Sequence, residues 1–267
     1  MGRAIYAHYS DNVAPAATIT VNTGTEDPDY LAANLVDLNP SKPAQLTGTT
    51  GSWVFDWGAA QRVDWVNLPM HNLDAGLEVR VQMNATNSWG SPSLNTTIVI
   101  PTYRDDGLPV GSWKDLTGVG GYLVGGYRYL RLVVVGANTA AVKVGEFMIL
   151  SNKRTLNPNI SWGAQAPEQR LAQVNQTDAG VKMMYDLGTT LRTFRGELDT
   201  TDAGLTAVRA WWRNSRGPIF PFAFVLDEDV NEGVMARWAS SLDPTLAIND
   251  RNTMPIAIEE LSRGLVL

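Results

Sequence analysis

Two histidines, His8 and His71, hold all the imidazole chemistry this chain has, and they stand far apart in sequence. His71 begins His71-Asn72-Leu73 behind an apolar run, where an imidazole could act as a general base or a ligand. With no second histidine near it, the reading adopted is structural: a ring that caps a turn after a buried strand. His8, in the opening segment, is read the same way. Cysteine is absent, which excludes disulfides, thiolate metal sites and cysteine nucleophiles.

Asp227, Asp229 and Asn231 form Asp-x-Asp-x-Asn, the opening of an oxygen-donor calcium loop. An EF-hand continues with Gly at its sixth position and Glu at its twelfth. Here those positions hold Glu232 and Trp238, so the EF-hand is excluded. The expectation is a solvated acidic loop, with the three residues kept as candidate ligands only for a cation site of another kind. Gly118, Gly120, Gly121, Gly125 and Gly126 would suit a phosphate cradle if a helix followed. The following run, 127–135, is rich in β-branched and aromatic residues, so a loop between strands is expected. Glu259 and Glu260 are adjacent, which on a strand aims them at opposite faces and makes them a poor catalytic pair. The G-x-S-x-G, H-E-x-x-H and Walker patterns are absent. Neither an enzyme nor a cofactor is expected.

What remains is aromatic. Trp89, Tyr103 and Trp113 lie in stretches rich in Gly, Pro and Ser, where a ring exposed on a loop could stack on a sugar or anchor a neighbouring subunit. Trp211 and Trp212 follow each other in a helical pattern. One should enter the core, while the other, about 100° round the helix, is left for an interface.

The elements that must position these residues change character along the chain. Runs at 52–57, 63–68, 77–83, 97–100, 127–135 and 142–150 read as short strands separated by turn clusters, the pattern of a sandwich or jelly roll. In 52–57, Trp53, Phe55 and Trp57 alternate with Val54 and Asp56, which puts three aromatics on one face. Residues 151–167 hold Asn157, Pro158, Asn159, Gly163 and Pro167 and read as a linker or wrapping arm. Beyond them, 184–198 alternates like a strand. Thr201 then caps a helix whose apolar positions are Leu205, Val208 and Trp212, and Gly217-Pro218 stops it. Residues 219–226, with Pro221 pointing to an edge or bulge, 234–239 and 253–261 read as further strands, the last able to turn helical at its end. The expected fold class is therefore mainly β: an N-terminal jelly roll over 1–150, the linker 151–167, and a smaller α+β domain over 168–267.

Composition narrows the partners. The 267 residues carry 21 Lys+Arg against 27 Asp+Glu, a net charge of −6 that argues against broad binding to nucleic acid or anionic membrane. Only 18% of residues are charged, while Trp, Tyr and Phe number nine, eight and six, a surface suited to burial against partners. No apolar run approaches the length of a membrane span, and the first ten residues lack the apolar core of a secretory signal. The Asn-x-Ser/Thr triplets at Asn84, Asn95, Asn159 and Asn175 are read as chance.

Five pieces of the first half, in order, resemble the discoidin (galactose-binding-like) jelly roll. They are Ala33-Asn34-Leu35-Val36-Asp37, Trp53-Val54-Phe55-Asp56-Trp57-Gly58, Val63 to Leu68 with His71-Asn72-Leu73, Tyr127 to Leu132, and Val144-Gly145-Glu146-Phe147. The resemblance covers about residues 5–150. It implies a β-sandwich and, in some members, a calcium near the binding loops, which no motif here carries to named residues. The strand 191–198, the capped helix ending in Trp-Trp and Gly217 to Phe222 are similar to bacteriophage tail-tip proteins of the distal-tail and baseplate-hub kind. Together these resemblances imply a structural component of a phage tail tip or baseplate. It would form a homo-oligomeric ring or adaptor around the tail axis and contact tube and hub proteins. It would be made in the bacterial host cytoplasm and carried in the virion. The alternative is a carbohydrate-binding adhesion module for a host surface glycan. Neither reading involves nucleic acid or membrane insertion.

Overall fold

The computed structural model describes residues 3–39, 42–101, 110–156, 168–176, 182–239, 245–246 and 252–261. Its first strands are β1 (Ile5–Tyr6), β2 (Thr18–Thr23), β3 (Ala44–Gln45), β4 (Gly51–Gln61), β5 (Trp65–His71) and β6 (Glu78–Asn84). Then come β7 (Leu94–Val99), β8 (Ser112–Asp115), β9 (Tyr127–Val134), β10 (Lys143–Leu150) and β11 (Arg154–Thr155). The second half contributes β12 (Glu168–Gln176), β13 (Lys182–Thr200), the helix α1 (Asp202–Asn214), β14 (Phe222–Val225), β15 (Val234–Trp238), β16 (Thr245–Leu246) and β17 (Asn252–Glu260).

Every strand pairing is antiparallel, and the chain is mainly β as expected. A five-stranded sheet runs β2-β4-β9-β6-β7 and a four-stranded sheet β3-β10-β5-β8; face to face they make the β-sandwich jelly roll. The alternation read in the sequence builds its core. Trp53 and Phe55 of β4, Leu130 and Leu132 of β9, and Val79 and Val81 of β6 point inward against Val66, Leu68, Phe147 and Ile149.

The four-stranded sheet does not show the half-buried pattern of an outer layer. All seven residues of β5 are buried, as are the last seven of β10, so both of its faces are covered. The second cover is an eight-stranded sheet ordered β11-β1-β14-β15-β17-β13-β12, with β16 on β17. Ile5, Ala223, Val225 and Met235 of that sheet pack on Trp65, Trp113, Met148 and Leu150 of the four-stranded one. Its far face carries α1, through Leu205, Val208 and Trp211. The described chain thus stacks as five-stranded sheet, four-stranded sheet, large sheet and helix. The opening strand β1, which the sequence placed with the jelly roll, joins the large sheet: Ile5 pairs with Val225 on one side and Thr155 on the other.

The helix begins where Thr201 predicted, with its hydroxyl accepting the Gly204 N–H at 3.4 Å. Its buried tryptophan is Trp211, where the apolar spacing had pointed to Trp212. The reason is an aromatic nest that only the fold assembles. Trp211 stacks on Tyr6 at 4.1 Å and meets Trp238 at 4.5 Å and Phe222 at 4.8 Å. Trp212 is half-buried and lies over Gly217, whose φ of +62° favours glycine and where a Cβ would stand 2.9 Å from the indole.

Candidate functional site

Among the described residues, one broad sheet face is left uncovered: the outer face of the five-stranded sheet. Strand β9 explains its chemistry. Leu130, Leu132 and Val134 enter the core, so Tyr129 and Arg131 must face outward. In register across the sheet, Arg131 stands between Val54 on β4 and Gln82 on β6, and Gln82 faces Asn95 on β7. Arg131 donates to Gln82 Oε1, at 2.9 Å from Nε, and Gln82 Nε2 donates to Asn95 Oδ1 at 3.2 Å. The guanidinium also backs the ring of Trp89, 4.8 Å from its centroid, and the Trp89 indole N–H donates to Asn87 Oδ1 at 2.8 Å.

One step along the strands lies a second polar row, in which Asp56 pairs in register with Tyr129 and Tyr129 with Asn84. Arg128 grips Asp56 through two bonds, of 2.7 and 2.9 Å, and covers the Tyr129 ring at 4.8 Å. That pairing, with the Gly58 N–H, holds the Asp56 carboxyl down at about 2. The result is a fixed array in which the Trp89 indole, two guanidiniums and the amides of Asn84, Asn87 and Asn95 reach the surface. Gln82 is buried beneath them as the link between Arg131 and Asn95.

Of the residues singled out by sequence, Trp89 is in this array, while Tyr103 lies outside the described residues. Trp113 is corrected. It sits in β8 with only 7% exposure, edge-on to Trp65 at 6.1 Å, and donates to Val230 O at 2.7 Å. Pairing with β5 and closure of the large sheet over it bury the ring between layers, where it can meet neither sugar nor subunit. Trp211 is likewise enclosed, and Trp212 is half-buried against the same core.

His71 is 1% exposed. Its Nδ1 accepts the Leu73 N–H at 3.2 Å, which leaves Nε2 to donate to Val110 O at 3.1 Å. Burial lowers its pKa to about 4. This is a neutral ring with both nitrogens engaged, the structural role expected. His8 precedes a 3-10 turn and donates its backbone N–H to Asp11 Oδ2 at 2.8 Å; burial lowers its pKa as well.

Asp227 turns its Oδ1 back to the Asp229 N–H at 3.0 Å, and Asp229 and Asn231 point into solvent. Among the described residues no three His, Cys, Asp or Glu side chains gather where a metal could sit. The glycines of 118–126 form the loop between β8 and β9, held by Tyr122 on Asp64 Oδ1 at 2.6 Å and by Tyr127 on Gly121 O at 2.6 Å.

For the calcium implied by the discoidin resemblance, the fitting donor is Glu146 on β10. It is fully buried, with Oε2 accepting the Leu38 N–H at 3.0 Å and Oε1 without a partner. Burial, and then the nearby Asp37, push its pKa well up. Asp37 is raised too, by burial. Two acids and an orphaned oxygen are donors of the right type for a hard cation, which Glu146 and Asp37 would hold by charge.

Sequence reading missed Arg131, Gln82, Asn95, Arg128 and Asp56. The signal for Arg131 was present in β9, where Tyr129 and Arg131 alternate with leucines. Nothing local, however, said which sheet face would stay open.

No family profile and no curated protein matches the chain. Solved structures similar to it match about half of it, and several of them are small binding modules. A family 32 carbohydrate-binding module of Clostridium perfringens NanJ, in complex with galactose, is 10% identical, with a TM-score of 0.38, over 57% of this chain and 99% of its own. A chitosan-binding module of a Paenibacillus chitosanase/glucanase is 20% identical, with a TM-score of 0.37, over 52% and 97%. The lectin binding domain of Lectinolysin, a mutant complexed with Lewis b, is 13% identical, with a TM-score of 0.40, over 53% and 96%.

Proposed function

We propose that the chain binds carbohydrate on the outer face of the five-stranded sheet. The observation that carries this reading is the Trp89–Arg131–Gln82–Asn95 array on the outer face of the five-stranded sheet. A sugar ring offers an apolar C–H face and a rim of hydroxyls. The first calls for a flat aromatic platform and the second for planar groups with several donors and acceptors. Arg131 backs one face of the Trp89 ring, so a sugar takes the other, and the exposed Asn95, two strands away and held by the buried Gln82, bonds its hydroxyls. Because the side chains already bond one another, little rotamer entropy is lost on binding.

Titration with host-surface oligosaccharides by affinity electrophoresis or calorimetry tests the reading. Trp89→Ala should weaken binding at least about tenfold, as loss of a central aromatic contact does, with thermal stability within about 0.5 kcal/mol of the parent. No retention on any host polysaccharide would sink it.

A second reading, a subunit of a larger assembly such as a phage tail tip, has one specific observation in its favour. β13 pairs with β17 over Thr193 to Thr200 only, and its earlier part, Lys182 to Arg192, pairs with β12 alone. Among the described residues the hairpin therefore runs beyond β17 and no strand pairs with the outer edge of β12, and two-stranded ribbons are marginal without further cover. Light scattering tests this reading: it expects a closed oligomer, and a monomer at every concentration would count against it.

A further inference from the structure

The outer face of the five-stranded sheet carries one charge that the described residues do not balance. The other charged side chains of its strands are paired: Arg80 with Glu78 at 2.5 Å, and Asp56 with Arg128 at 2.7 Å. Arg131, on the middle strand β9, has no carboxylate partner among the described residues. It is bonded to a neutral amide oxygen, Gln82 Oε1, and lies against the face of Trp89. The two arginines of β9 therefore differ in character. The Asp56 carboxylate raises the pKa of Arg128, whereas that of Arg131 is lowered by burial, with no acid to offset it.

The free edge of Arg131 has a defined shape. Gln82 Oε1 occupies one edge of the guanidinium, accepting from Nε at 2.9 Å and from Nη2. The end formed by Nη1 and the second Nη2 proton bonds nothing among the described residues. Two parallel N–H groups at that end match the two oxygens of a planar carboxylate. A sugar hydroxyl could accept one of them but would leave a half-buried charge unbalanced. The end is also held in place. The Arg131 backbone lies between the buried Leu130 and Leu132, Asn95 fixes Gln82 at 3.2 Å, and Trp89 backs the guanidinium at 4.8 Å. Such a donor pair loses little freedom on binding.

On the glycan reading above, we infer that the ligand of this face is an acidic glycan, and that Arg131 selects it by pairing end-on with a carboxylate through Nη1 and Nη2. A pyranose on the free face of Trp89 is separated from Arg131 by the indole. The carboxylate therefore belongs to the neighbouring sugar of the same ligand, which reaches past the edge of the ring. The chain as a whole has a net charge of −6, which repels densely charged polyanions. A glycan with isolated carboxylates among neutral sugars meets both conditions, and uronates and sialates each supply that group.

Calorimetry or NMR titration of the full chain with a hyaluronan tetrasaccharide and with sialyllactose tests this, and the two arms separate a uronate from a sialate. The carboxyl-reduced tetrasaccharide and lactose are the neutral counterparts. At least one acidic compound should bind, and its neutral counterpart at least about tenfold more weakly. Arg131→Gln should bring the acidic compound down to the neutral level. Arg131→Lys, which keeps the charge but not the paired donors, should fall between. Arg80→Gln removes a cation that Glu78 already pairs and should leave the affinity unchanged, which separates a built site from general charge attraction. Equal binding of acidic and neutral counterparts, or indifference to Arg131→Gln in a folded variant, would overturn the carboxylate assignment and leave the glycan reading intact. Failure of both acidic compounds while neutral host glycans are retained would do the same. Acidic binding that Arg131→Gln abolishes and Trp89→Ala spares would keep the carboxylate site and overturn the stacking of a sugar on Trp89. With no glycan bound at all, both fall.

Discussion

His71 and Glu146 are buried on paired strands, β5 and β10, and respond to pH in opposite senses. For His71 the unfolded value near 6.5 falls to about 4 in the fold, so between those values the unfolded chain binds more protons. Stability is full above that window and is lost as pH falls through it, by on the order of 3 kcal/mol if His71 acts alone. Urea denaturation at pH 7 and pH 4 should show a smaller acid loss in His71→Gln than in the parent, and equal losses would exclude the assignment. Glu146 is raised, so its contribution is present below the ordinary carboxylate range and is lost as pH rises through the higher folded value. In chelator at pH 7, Glu146→Gln should be more stable than the parent by about 1–2 kcal/mol, since an amide has no proton to lose. A loss of stability on chemical denaturation would show instead a carboxylate that is ionised and satisfied.

At the scale of elements, the joint between β8 and the turn before β15 is a close main-chain approach between two layers. Gly233 N–H donates to Gly111 O at 3.1 Å, and a Cβ on Gly111 would stand 2.1 Å from Gly233 O and 2.8 Å from the Pro69 backbone. Neither contact can yield, because both are main chain. Gly111→Ala should therefore cost about 1–3 kcal/mol or more in denaturant midpoint, against under about 0.5 for Gly90→Ala, which meets nothing within 4 Å. This joint also shows where sequence reading runs out. The helix was legible because its cap Thr201, its apolar turns and its stop at Gly217 are all local. β8 was not, because a four-residue strand among Gly, Pro and Ser has the composition of a loop. Its Trp113 becomes a core residue only through Trp65 and Val230, which are distant in the chain. The swap of Trp211 for Trp212 has the same origin, since Tyr6 supplies the deciding ring.

For the whole molecule, the contact of Ile5, Val225 and Met235 with Trp65, Met148 and Leu150 joins the halves that composition divided near residues 151–167. Calorimetric unfolding should show one transition, with calorimetric and van't Hoff enthalpies in agreement; two separable peaks would mean that this buried layer couples weakly. The alternating strands of the sandwich were readable, since each obeys a period of two. The stacking of a third layer was not: Trp65, Val66 and Leu68, interrupted by the polar Asn67, are consistent with burial on both faces without naming the cover. The place of β1 in that cover has a kinetic consequence. As the chain emerges in order, the sandwich can close once β10 is made, but Ile5 must wait for Val225. Until then the outer surface of the four-stranded sheet, with Trp65 and Met148, is bare to solvent and to other nascent chains. The interval between those two events is the protein's period of greatest exposure to misassembly, and its length is set by translation speed.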